Sequence, residues 1–415
     1  MPDSPITNFR DSDGVDLGKK LVTKDYLLEV YGTILENSPA SGLVVTPELW
    51  GWGVQGEGRL GNGQQFGTVN IPVPITAGVT NWKQVSGGTR VSAAIKTDGS
   101  LWVWGLNDNA QLGINNTTSP IVTPVTTFAG GTDWKQVSAG NQHIAAIKTD
   151  GSLWIWGLGG YGGLGNNNNT NRSTPITTFA GGNDWKSVSA GSYNTAAIKT
   201  DGSLWVWGSN AAGKLGANIS PDSIHRSTPI TTFAGGTNWK QVSAGGGSGN
   251  TVAAVKTDGT LWTWGLNTTS GRLGINIGDN NFRFTPVTTF AGGNDWKQVS
   301  VLNENTAAIK TDGTLWMWGT GAINGNNSFS NALSPVTTFA GGTNWKSVSH
   351  GNSHTAAIKT DGTLWVWGSG SSGRLGTNDT TDRLTPVTTF AGGNDWKQVS
   401  VGGDFMMAIK SIDYI

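Results

Sequence analysis

The chain has 415 residues and no cysteine, which excludes disulfides and thiolate metal sites. Lysine plus arginine and aspartate plus glutamate number 27 each, and only 13% of residues are charged, so no long-range field draws nucleic acid or an anionic membrane. No apolar run of about 18 residues occurs, and "MPDSPITNFRDSDG" lacks both a basic start and an apolar core, so neither a membrane span nor a signal peptide is expected.

Residues 1–46 form a first segment. In "TKDYLLEVYGTIL", Leu27, Val30, Tyr31 and Ile34 recur at helical spacing behind a cap at Thr23. A helix of this length is marginal alone and needs something to pack on. "ENSPASG", 36–42, reads as a linker. "DSDGVD" at Asp11 matches the start of a calcium loop, but its twelfth position is Val22, where a bidentate glutamate is needed. The block "DSDGVDLGKKLVTKDYLLEVY" resembles short amino-terminal modules of marine bacteriophage virion-associated proteins. That resemblance implies an anchor that docks to a particle or self-associates.

From residue 47 the chain is a repeat. "LWGWG" at Trp50 returns as "LWVWG", "LWIWG", "LWVWG", "LWTWG", "LWMWG" and "LWVWG", and "WK(Q/S)VS" occurs seven times at spacings of 49 to 57 residues. Two tryptophans per W-x-W-G and one per WK motif account for all 21 in the chain. Tryptophan therefore belongs to the repeat and not to a site. Such a period overrides the prior of two or three domains, because each unit needs its neighbours to bury its faces.

Residues 134–179 divide into four predicted strands: A "WKQVS", B "IAAIKT", C "SLWIWG" and D "TPITTF". Asp150-Gly151 joins B to C as a two-residue hairpin turn. Proline at the opening of D places that strand on the outer edge, where a missing amide is harmless. Period-two alternation sends Trp154 and Trp156 off one face and Ile155 off the other, so both faces must be buried. Radially stacked blades meet that condition, with the indoles filling the wedge between them. The last copy, from Trp396, supplies only A and B, whereas the first supplies only C and D near Trp50 and Pro72. One blade is thus expected to be a clasp of both ends that removes exposed sheet edges. The predicted fold is all-β, a seven-bladed β-propeller of four-stranded blades over residues 47–415, with a short helical segment at 1–46.

The order "VSAG…HTAAIKTDG…LWVWG…G…LG" resembles the repeat of the regulator of chromosome condensation family over residues 48–410. That resemblance implies a seven-bladed propeller. For function it implies several unlike roles: nucleotide exchange, light sensing and enzyme inhibition. Light sensing in the family uses tryptophans after the A–B glycine, where this chain has Asn141, Ser192 and Asn352. The wedge that exchange requires has no counterpart in these compact repeats.

Alternating strand direction puts the A–B and C–D connections on one face and the B–C and D–A connections on the other. The second face is uniform: "KTDG" and "TFAGG" each recur in six blades. The first is variable, from "AGSYNT" to "VLNENT" and from "LGGYGGLGNNNNTNRS" to "LNTTSGRLGINIGDNNFRF". Variable loops on a rigid scaffold are where binding resides. Aromatic and arginine residues dominate binding hot spots, which singles out Tyr161, Tyr193, Phe282, Arg283, Phe284, Phe329 and Arg383 for a protein or cell-surface ligand.

No catalytic constellation assembles. His143 and His354 occupy one repeat position in separate blades, and the family resemblance implies a structural histidine bonding its own loop. His350 and His354 share a loop without a third metal ligand. "GLGGYG" at Gly157 fits G-x-G-x-x-G, but no helix follows it. No enzyme, cofactor or metal is expected. Two readings follow: a phage virion appendage or receptor-binding adhesin located in the virion, or a free-standing protein-binding module or inhibitor in the cytoplasm.

Overall fold

A computed structural model describes residues 44–75, 80–219, 225–246 and 250–414. The anchor residues Leu27, Val30, Tyr31 and Ile34 and the Asp11 loop lie outside them.

Seven four-stranded antiparallel sheets follow one another along the chain. In blade 2 the strands are A, Trp134–Ala139; B, His143–Lys148; C, Leu153–Gly157; and D, Arg172–Thr177. Blades 1 to 6 begin at Trp82, Trp134, Trp185, Trp239, Trp296 and Trp345. The seventh sheet takes A and B from Trp396–Val401 and Phe405–Tyr414, and C and D from Val44–Val54 and Thr68–Pro74. Each D strand is the outer edge of its sheet. Its proline, however, sits inside the strand and not at its start: Pro175 lies in the register break between Arg172 and Ile176, where the ladder asks for no amide.

The core lies between blades. Ala145, Ile147, Leu153 and Ile155 of blade 2 pack against Trp185, Val188, Ala197 and Trp207 of blade 3. The two tryptophans of strand C are not equivalent. Trp104 is fully buried and its Nε1 donates to the Arg59 carbonyl of the preceding blade at 3.0 Å. The approach needs Gly61, whose φ is +73° and where a Cβ would sit 2.7 Å from the indole. Trp102 is half-buried, and its Nε1 donates within its own blade to Ser100 Oγ. Both rings meet the strand-A Trp82 edge-on, at 6.3 Å between centroids.

Around the axis the A strands are joined by side chains that imitate backbone. Gln84 Nε2 donates to the Val137 carbonyl and its Oε1 accepts from the Val137 amide, both at 3.0 Å. Gln136, Gln241, Gln298 and Gln398 do the same to Val188, Val299, Val348 and Val85. Two residues along, the serine of the Val-Ser pair in every A strand, from Ser86 to Ser400, accepts an amide of the next blade.

Candidate functional site on the variable face

The face built from B–C and D–A connections closes on itself. In each complete turn the aspartate accepts from the residue two places on: Asp150 Oδ1 takes Ser152 N at 2.8 Å and Ser152 Oγ at 2.7 Å. These bonds, the side-chain one first, hold the Asp150 carboxyl below the usual carboxylate range. Lys148 lies over the Trp134 and Trp154 rings and pairs with Asp133 at 3.2 Å. One apolar feature of the D–A connections was not expected: Phe128, Phe179, Phe233, Phe290, Phe339 and Phe390 are 62–67% exposed in six equivalent places.

On the opposite face the seven residues singled out do not form one patch. Tyr161, in the C–D connection of blade 2, meets Tyr193 from the A–B connection of blade 3 at 5.3 Å between ring centroids. It also meets His225 at 4.7 Å. This inter-blade cluster is legible only once the blades are assembled, and His225 carried no signal in the sequence. Tyr161 holds its ring out from a left-handed backbone, φ 62°, in the 3-10 turn Gly160–Gly162. That turn is what the "GLGGYG" motif forms.

Phe282 and Phe284 form a second group in blade 4, with ring centroids 6.0 Å apart. Phe282 is 41% exposed, whereas Phe284 leans on Gly213 of blade 3. Arg283 is tied to Asp279 at 3.0 Å and Arg383 to Asp379 at 2.6 Å, each four residues back, so both guanidinium groups have a partner in their own loop. Phe329 stands alone in blade 5 and is 76% exposed. It lines a cavity of about 300 Å³ between blades 5 and 6.

The histidines are buried. His143 reaches not its own loop but the next blade, with Nε2 2.9 Å from Thr195 Oγ1, because its strand-B position faces the inter-blade space. His350 Nδ1 lies 2.7 Å from Thr355 Oγ1. Burial pushes the His143 imidazole down to about 4 and that of His350 to about 3. Neutral, desolvated rings of this kind are packing elements. Among the described residues no group of three or more His, Asp or Glu side chains could hold a metal ion, and no helix is long and apolar enough to cross a membrane.

The Regulator of chromosome condensation (RCC1) repeat matches residues 48–95, 98–147, 150–198, 201–249 and 361–409. The chain belongs to this family. It is 31% identical over 283 residues to the ultraviolet-B receptor UVR8 of Arabidopsis thaliana, covering 66% of this chain and 60% of the receptor. It is 28% identical over 292 residues to the mouse E3 ubiquitin-protein ligase HERC2, 67% of this chain but 6% of the ligase. The chain thus spans less than two thirds of either relative. The yeast RCC1 propeller Prp20, in its complex with Kap60, superposes with a TM-score of 0.76 at 19% identity over 90% of both chains. That likeness shows the fold.

Proposed function

We propose that this chain is a non-enzymatic protein-binding module whose A–B and C–D connections form the working face. The carrying observation is the difference between the two faces. One repeats the same sealed turn in six blades, and its exposed phenylalanines are equivalent from blade to blade. The other differs at every blade and displays the Tyr161–Tyr193–His225 cluster, Phe282 and Phe329. Specific recognition needs surface that differs from place to place, and only this face offers it. Membership of a family that includes yeast RCC1 (Prp20), which is bound by Kap60, supports the reading.

The virion appendage or adhesin remains the second arrangement. It uses the same face and differs in assigning residues 1–46 to docking on a particle, which their helical spacing and distinct composition favour. Presence in purified particles separates virion from cytoplasm.

The test is capture from a host surface extract. Alanine at Phe282, Arg283 and Phe284 together, or at Tyr161 and Tyr193, weakens recovery of the captured protein, while alanine at Lys148 and Asp150 does not. If only the Lys148 and Asp150 variant loses the partner, the face is wrongly chosen.

A further inference from the structure

The junction between blades 5 and 6 lacks a cation that the junctions after blades 3, 4 and 6 have. Next to the Leu-Gly of three C–D connections stands a cation that reaches the A–B connection of the following blade. Lys214 Nζ meets Asn250 Oδ1 at 3.4 Å, Arg272 pairs with Glu304 at 3.6 Å, and Arg374 pairs with Asp404 at 3.2 Å. In blade 5 that position is Ile323, whose carbonyl still accepts from the next blade's Trp367 Nε1. The loop is also shorter. Gly325 follows Gly319 by six positions, whereas the corresponding glycines elsewhere are eight or nine apart. A cavity of about 300 Å³ lies at this shortened junction.

Its lining retains the acceptors without the donor. Glu304 and Asp382 bring two carboxylates, and no lysine, arginine or histidine is among the described residues that line it. Asp382 Oδ1 accepts the Gly370 amide, and Glu304 pairs with Arg272 through Oε1 and accepts the Thr320 hydroxyl through Oε2, so each carboxylate keeps acceptor capacity beyond these bonds. Asn352 Oδ1 is buried without a hydrogen-bond partner, an arrangement that is unfavourable until a donor arrives. Ile323 and Leu384 supply apolar walls for a methylene stem, and the exposed Phe329 ring also lines the cavity.

Resting on the binding-module reading, we infer that this cavity receives an arginine side chain of the protein partner. The guanidinium takes the place of the cation that Ile323 displaced, donating to Asp382, Glu304 and Asn352 Oδ1. Its planar donors suit acceptors spread around a cavity better than the point charge of an ammonium. Phe329 folds over it as a cation–π lid.

The test uses acetyl-Gly-Arg-Gly-amide and its neutral isostere acetyl-Gly-citrulline-Gly-amide, titrated by calorimetry into the full chain. The arginine peptide binds and the citrulline peptide binds at least about tenfold more weakly, as expected for losing one charge-assisted contact. Ile323→Arg, which supplies the cation of those three junctions, abolishes peptide binding and keeps the melting temperature. Asp382→Asn, which keeps the acceptor for Gly370, weakens binding about tenfold through the lost charge. Equal binding of the two peptides, no binding of either, or undiminished binding by a folded Ile323→Arg each overturns the inference. If Ile323→Arg also leaves capture of the natural partner intact while the Phe282 triple variant loses it, the pocket fails and the working face stands. If both variants capture normally, the face itself fails.

Discussion

Gln398 and Val85, 313 residues apart, close the ring: the carboxamide Nε2 donates to the Val85 carbonyl at 3.2 Å while Oε1 accepts the Val85 amide at 2.9 Å. The pair makes the last innermost strand and the first one behave as neighbours in a ladder. Four other junctions carry the same clamp, and in two blades Ser187 and Ser347 stand where the glutamine would be. Gln398→Ala is expected to lower stability by about 1–3 kcal/mol, the range for stranding buried partners. In the opposite sense, Ser187 Oγ is buried with no hydrogen-bond partner. Ser187→Gln supplies the missing clamp to Val242 and raises stability by about 1 kcal/mol. Urea unfolding of both variants checks this, and a stabilised Gln398→Ala would remove the clamp from the account.

The clamp also marks what the sequence could not say. "WKQVS" reads as a strand because tryptophan and valine alternate with polar residues, but nothing in it tells that Gln398 bonds across the ring. The strand pattern, the seven units and the two unlike faces were legible because each is local or periodic. The cavity at Ile323 was not. It lies where one loop is shorter than its counterparts in other blades, and no motif records an absence. Likewise, Arg283 and Arg383 looked like free contact residues because an aspartate four positions earlier is a routine loop residue until the strand bends back to it.

The paired tryptophans should separate on mutation. Both were expected to fill the wedge between blades, but only Trp104 lies wholly inside it, with its Nε1 on the Arg59 carbonyl. Trp102 packs at the margin of the same inter-blade cluster, half-buried, with the Lys96 Nζ 4.4 Å from its ring centroid. Trp104→Ala therefore costs about 3–5 kcal/mol, the range for truncating a fully buried aromatic. Trp102→Ala costs less than half of that, because part of its ring stays in contact with water and with the Lys96 side chain. Equal losses in parallel thermal melts would show that the distinction in burial carries no energetic weight.

The composite blade makes a prediction about aggregation. Strands from Trp396–Val401 and Phe405–Tyr414 share a sheet with Val44–Val54 and Thr68–Pro74. Deleting 396–415 leaves that half-sheet unpaired and uncovers the blade 1 core around Trp82 and Ala94, which Phe405 and Met407 cover. Exposed strand edges of this kind recruit other chains. The shortened protein is expected to elute as aggregate in size exclusion; a soluble, cooperatively melting monomer would argue that six blades close without the seventh.

Acid should unfold the ring through its histidines before its carboxylates titrate. In the folded chain the His143 imidazole is pushed down to about 4 and that of His350 to about 3, from an ordinary value of 6.5, and burial also drives His354 well below it. A base whose folded pKa is lowered takes up its proton more readily when unfolded. Its stabilising contribution is therefore complete above pH 6.5 and falls away as the pH drops toward the folded value. For His143 the full loss is about 3 kcal/mol, at about 1.4 kcal/mol per unit of displacement. The turn aspartates such as Asp150 are held below 3.8, so they do not contribute in this window. The melting temperature should thus be flat from pH 8 to 7 and decline steadily from pH 6.5 to 4.5. His143→Gln removes one titrating ring and should make that decline shallower, whatever it does to stability at pH 8. A melting temperature that does not change between pH 7 and 4.5 would mean that these rings are open to protonation in the folded state.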